Sequence, residues 1–128
     1  MNEFEKNVKF VSKLVELSQK GELEWKPSDA PDEFSSTSFI TEVGGQPIRV
    51  YTFARQVPAS PSSIFSSFSL DNENSRTITI YGDVIDIMDA RHRVLYSFRD
   101  VTGTHDLFES ASRSAANVDR LIEAVLSA

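Results

Sequence analysis

The sequence predicts an α+β fold: an antiparallel sheet of four or five strands, with an N-terminal and a C-terminal helix packed on one of its faces. Three features carry this expectation. Apolar residues recur at steps of three and four at both ends of the chain. Through the middle they alternate at a step of two. A Gly44-Gly45 pair lies between two runs rich in Thr, Ile, Val, Phe and Tyr, where it can supply the positive φ angles of a two-residue hairpin turn.

Taken in order, Glu3 to Lys20 reads as the first helix. Phe4, Val8, Val11, Leu14, Val15 and Leu17 form its apolar stripe, and Gly21 suits a left-handed cap at its end. Leu23 and Trp25 alternate with charges, which predicts a short extended piece before a loop bounded by Pro27 and Pro31. Phe34 to Val43 and Pro47 to Val57 are the two strands of the Gly44-Gly45 hairpin. Ile64, Phe68 and Leu70, alternating with serines, predict a weak edge strand, and Asp71 to Ser75 a turn.

Thr77 to Met88 carries Ile78, Ile80, Ile85 and Ile87, whose alternation slips by one residue at Gly82-Asp83. Two readings fit. A β-bulge there returns all four isoleucines to one face, and a Gly-Asp hairpin turn splits the stretch into two strands. Asp89 to His92 then turns the chain into Arg93 to Val101. A closing helix begins near Asp106, where Asp106 and Glu109 have capping-box spacing, with Thr104 as the other candidate cap. It runs on a stripe of Leu107, Ala111, Ala115, Val118, Leu121, Ile122 and Val125.

At 128 residues the chain fits one domain, 1–128, with a real core. Nine Phe, three Tyr and one Trp supply large apolar groups. A net charge of -6 disfavours nucleic acid as a partner. The absence of cysteine removes disulfides, thiolate nucleophiles and thiolate metal sites. The charged start Met1 to Lys6 lacks the apolar run of a signal peptide, and no stretch has the roughly 18 apolar residues of a membrane span. The expected location is cytoplasmic, with no membrane association.

Candidate chemistry is thin. Asp83, Asp86 and Asp89 are the densest carboxylates, but strand geometry sends Asp86 to the face opposite Asp83 and Asp89, so no metal site is expected. Asp71 to Ser75 lacks the Gly and the closing Glu of a calcium loop. His105-Asp106 and the many serines supply the residue types of a hydrolase triad without its nucleophile elbow. Catalytic, cofactor and metal-binding residues are therefore all expected to be none.

What remains is surface. If Ile48 and Val50 point toward the helices, Tyr51 and Phe53 point away, between Arg49 and Arg55. A bulge at Gly82 places Tyr81 and Val84 on that same outer face. Either the sheet curls, or the loop around Trp25 covers this patch, or it is a protein interface. Arg91 and Arg93 form a basic hairpin tip, which could touch an acidic partner. The candidate interaction surface is thus Tyr51, Phe53, Tyr81, Val84, Arg91 and Arg93. The functional expectation is a small non-enzymatic protein-interaction domain of adaptor, immunity or chaperone-like type. Its partner would be another protein or a second copy of the chain in a homodimer. The alternative is a small enzyme or small-molecule-binding domain with a pocket between helices and sheet, which a polar pocket holding His105 would favour.

Lys20-Gly21-Glu22-Leu23-Glu24-Trp25, the hairpin from Asp89 to Tyr96 and the closing Asp106-Leu107-Phe108-Glu109 helix resemble a set of small bacterial proteins of unknown function, over most of the chain. Ala90-Arg91-His92 departs from the acidic residue and Gly common in their hairpins. The resemblance implies the same order of helix, hairpins and closing helix, and no activity, cofactor or site residue. Size, acidity and bracketing helices are also loosely similar to type III secretion chaperones, whose sheet order includes a helix that this sequence lacks.

Overall fold

A computed structural model describes residues 2–58 and 77–128. The expected strand at Ile64 to Leu70 and turn at Asp71 to Ser75 lie outside the described residues.

The first helix, α1, spans Glu3–Gln19. Asn2 caps it, its Oδ1 accepting from the Glu5 N–H at 2.8 Å, and Glu3 and Glu5 set negative charge at the positive helix end. The helix stops in a left-handed Gly21, φ +76°, as its sequence predicts. The Glu22 N–H donates to the Leu17 carbonyl at 2.9 Å and the Gly21 N–H to that of Ser18 at 3.1 Å. These are the two bonds of a Schellman motif.

Five strands follow among the described residues: β1 Lys26–Ser28, β2 Ser38–Val43, β3 Gln46–Pro58, β4 Thr77–Met88 and β5 Val94–Arg99. They form one antiparallel meander in chain order. Gly44 and Gly45, at φ +61° and +82°, make the expected hairpin and set Val43 opposite Gln46. β2, the first strand of this hairpin, begins at Ser38, later than the expected Phe34, since residues 34–36 pair with β3 irregularly. The Ala54 N–H reaches the Phe34 carbonyl at 3.0 Å and the Ser36 N–H that of Thr52 at 2.8 Å.

Neither reading of Gly82-Asp83 survives. β4 runs unbroken, and its register with β3 is continuous from Ile48 opposite Ile87 to Pro58 opposite Thr77. The isoleucines therefore divide, with Ile85 and Ile87 on one face and Ile78 and Ile80 on the other. Gly82 neither turns the chain nor bulges it. Phe53 lies directly opposite, and a Cβ on Gly82 would collide with its ring. The irregularity lies elsewhere, between β4 and β5, where Ile87 faces Tyr96 but Met88 faces Val94, leaving Leu95 as the extra residue.

One face of the sheet carries the core. Phe39, Val50, Ile85 and Phe98 lie in one row across β2 to β5. Val11 and Leu14 of α1 pack on this face, as do Leu107 and Ala111 of α2, Thr104–Ala115. The Phe10 and Phe98 rings sit 5.3 Å apart and those of Phe39 and Phe108 5.6 Å. Trp25 belongs to this core and does not cover the opposite face. Its indole N–H donates to the Ser18 Oγ at 2.9 Å, and that hydroxyl donates to the Leu14 carbonyl.

The closing helix differs from the expected single rod. α2 starts two residues before Asp106, after a left-handed Gly103. It is interrupted at Asn117, φ +55°, before a second helix, α3, Val118–Leu126. α3 contributes no buried residue. No helix among the described residues is long and apolar enough to cross a membrane.

Candidate functional site

Away from the helices, strand alternation lines up Ile40, Arg49, Asp86 and Ser97 across β2 to β5. Asp86 lies on the face opposite Asp83, as strand geometry predicts, and it is buried, with 2% of its side chain exposed. Burial of a carboxylate requires partners for both oxygens. Arg49 donates from Nη2 at 2.6 Å and Nε at 3.0 Å to Oδ2, while the Ser97 hydroxyl reaches Oδ1 at 2.6 Å. Among the described residues no buried side-chain polar atom lacks a partner.

The sequence-derived surface residues divide around this network. Tyr51 and Val84 face each other on β3 and β4, with Phe53 next to them over Gly82. Val84 has no exposed surface, and Tyr51 and Phe53 are half-buried. The Arg49 guanidinium lies 5.4 Å from the Tyr51 ring centre and that of Arg55 5.3 Å from the Phe53 ring centre. Burial, and then the Asp86 carboxylate, raise the Tyr51 hydroxyl above its ordinary pKa, against the opposing pull of Arg49 and Arg99. Tyr81 does not join them. With no bulge it points to the helix side, opposite Ala54, and is 76% exposed.

At the β4–β5 turn, Asp89 holds the basic tip. Its Oδ1 accepts from the N–H groups of Arg91 and Arg93, both at 2.9 Å, and its Oδ2 from Arg93 Nε at 2.7 Å. The bond from the Arg93 N–H is the chief reason its carboxyl lies below the ordinary Asp pKa. Arg93 is thus engaged within the turn, and Arg91 is exposed.

Where the sheet extends beyond the start of α2, an open cleft of about 810 Å³ lies on the helix side. Phe34, Tyr81 and Phe108 supply its aromatic walls, and Glu33, Asp83, Asp100 and His105 its polar groups. His105 Nδ1 is 3.5 Å from Asp83 Oδ1, and its Nε2 is 3.2 Å from Glu109 Oε1. Both nitrogens therefore lie beside carboxylates. The two serines in the cleft are engaged locally, Ser35 with Asp32 and Ser36 with the Thr37 carbonyl. Among the described residues no three His, Asp or Glu side chains converge as metal ligands would.

Sequence reasoning missed both the buried Arg49–Asp86–Ser97 network and the place of His105 beside Asp83. Alternation alone could have found the first: Asp86 falls in step with Val84 and Met88, at a position whose neighbours are apolar. Nothing local signals the second, because Asp83 and His105 meet only through the β4–β5–α2 path. Comparison with protein families, with curated proteins and with solved structures finds no match for this chain.

Proposed function

We propose that this chain is a non-enzymatic protein-interaction domain that acts by lending an apolar helix face to a partner. The observation that supports it is α3. Leu121, Ile122, Val125 and Leu126 are between 42% and 79% exposed, on a helix with no buried residue at all. A nine-residue helix is marginal in water on its own. Laying such a stripe into an apolar groove is a recurring mode of recognition, with anchors three and four residues apart.

The test is a tagged pull-down from the native host with the full chain and with Leu121→Asp/Val125→Asp. A protein retained by the first and lost by the second supports the reading. Equal retention by both, or no specific protein, counts against it. A second reading, a small-molecule-binding domain, draws on the cleft around His105. Aromatic walls beside carboxylates suit a cationic organic ligand. A rise in melting temperature with added arginine or a diamine, absent in Asp83→Asn, would favour it.

A further inference from the structure

The two edges of the sheet are built differently. β1 is three residues long, Lys26-Pro27-Ser28, and combines short length, a lysine and a proline, all features that block strand addition. β5 is twice as long, Val94-Leu95-Tyr96-Ser97-Phe98-Arg99, with no proline and no lysine, and its one irregularity, the bulge at Leu95, lies at its start and leaves Tyr96 to Arg99 regular. Among the described residues its outer side has no partner strand. Val94, Leu95 and Tyr96 along it are 47%, 61% and 54% exposed.

The direction of its backbone groups follows from the ladder. Asp100 donates its N–H to the Asp83 carbonyl at 2.9 Å, continuing the pairing of Val84 with Arg99 and Ile85 with Phe98. In an antiparallel ladder hydrogen-bonded pairs alternate. Asp100, Phe98 and Tyr96 therefore turn their N–H and C=O toward β4, while Ser97 and Arg99 turn theirs outward. The extended stretch ends at Asp100, whose φ is +52°.

We propose that β5 pairs antiparallel with β5 of a second copy of this chain, about a two-fold axis at Ser97, joining the two sheets edge to edge. A two-fold perpendicular to the sheet keeps both helix layers on one side and sets residues of equal facing opposite each other. Centred on Ser97, this register exchanges N–H···O bonds between the two Ser97 residues. It sets Tyr96 across from Phe98 of the second copy twice over, on the helix side, as aromatic cross-strand pairs. It also brings each Leu95, the residue bulged out of the β4 ladder, beside Arg99 of the other copy, whose aliphatic stem covers the exposed leucine. A centre at Phe98 needs the left-handed Asp100 in the ladder, and one at Arg99 sets like charges face to face. Among the described residues the other edge of the sheet is the blocked β1, which stops the joined sheet from growing at its ends, so the assembly closes as a dimer.

The experiment is sedimentation velocity on the full chain across a concentration series, with Leu95→Lys, Leu95→Glu and Leu95→Lys/Arg99→Glu. The wild type is expected to sediment as a dimer. Leu95→Lys, which puts Lys beside Arg99 at two equivalent positions, should raise the dissociation constant about tenfold. Leu95→Glu should tighten it, and the double variant should restore it. Folding of each variant is checked by circular dichroism, and Leu95 is exposed enough for the fold to be indifferent to the change. A wild type that stays monomeric overturns the proposal, as does a dimer whose affinity ignores the sign of residue 95. Neither result bears on partner capture by α3, which is read by the Leu121 and Val125 changes.

Discussion

At the scale of single residues, the Arg49–Asp86–Ser97 row shows how far a buried charge depends on its partners. Asp86 is buried and satisfied at both oxygens, and Arg49 is mostly buried against it. Removing one partner of such a pair leaves a charge out of water without compensation, which costs about 3–5 kcal/mol, whereas replacing both by apolar groups can be neutral. Asp86→Ala should therefore lower stability in urea unfolding by about 3 kcal/mol, and Arg49→Met/Asp86→Leu by much less. Asp89 acts differently, through its lowered pKa. A carboxyl depressed in the folded state stabilises the fold above the ordinary Asp value, about 4, and loses that contribution as pH falls through the folded value. The β4–β5 turn should accordingly loosen below about pH 4. The protection factors of the Arg91 and Arg93 amides against hydrogen exchange should fall there, and Asp89→Asn should remove that acid dependence.

At the scale of elements, what was legible in the sequence is what local chemistry decides. Gly21 ends α1 because the next turn requires a positive φ, and Gly44-Gly45 closes a hairpin for the same reason. Gly21→Ala has open space for its Cβ, so its cost is purely the left-handed backbone. About 1 kcal/mol of destabilisation is expected in thermal unfolding. The illegible elements are those decided by contacts distant in sequence. Gly82 looks like a turn or bulge signal, yet it is glycine because Phe53, some thirty residues earlier, needs the space. The slip in the isoleucine pattern had a plainer cause, that both faces of β4 carry apolar residues. Asn117 breaks the closing helix although the apolar stripe runs through it, because Asn tolerates the left-handed region where most residues do not. The cleft was legible only as residue types, His105 and Asp83, since their meeting depends on how α2 enters the sheet.

For the molecule as a whole, the division between packed and unpacked apolar surface separates stability from function. Val11, Leu14, Val50, Ile85, Leu107 and Ala111 form one buried cluster on the helix side, and every large side chain of that cluster is needed to fill it. The apolar residues of α3 belong to no such cluster, although the sequence places Leu121, Ile122 and Val125 on the same stripe as Leu107 and Ala111. Periodicity shows that a face is apolar; it does not show what the face meets. The two groups should respond oppositely to substitution. Leu107→Ala removes a fully buried side chain and should cost about 2–5 kcal/mol in chemical denaturation, with the exposed face of α3 untouched. Leu121→Asp/Val125→Asp exchanges exposed side chains and should shift stability by no more than about 0.5 kcal/mol per site, while abolishing the protein capture proposed for α3. If instead the α3 changes destabilised the chain as much as Leu107→Ala does, the stripe would be packing within the fold, and α3 would no longer serve as a binding face.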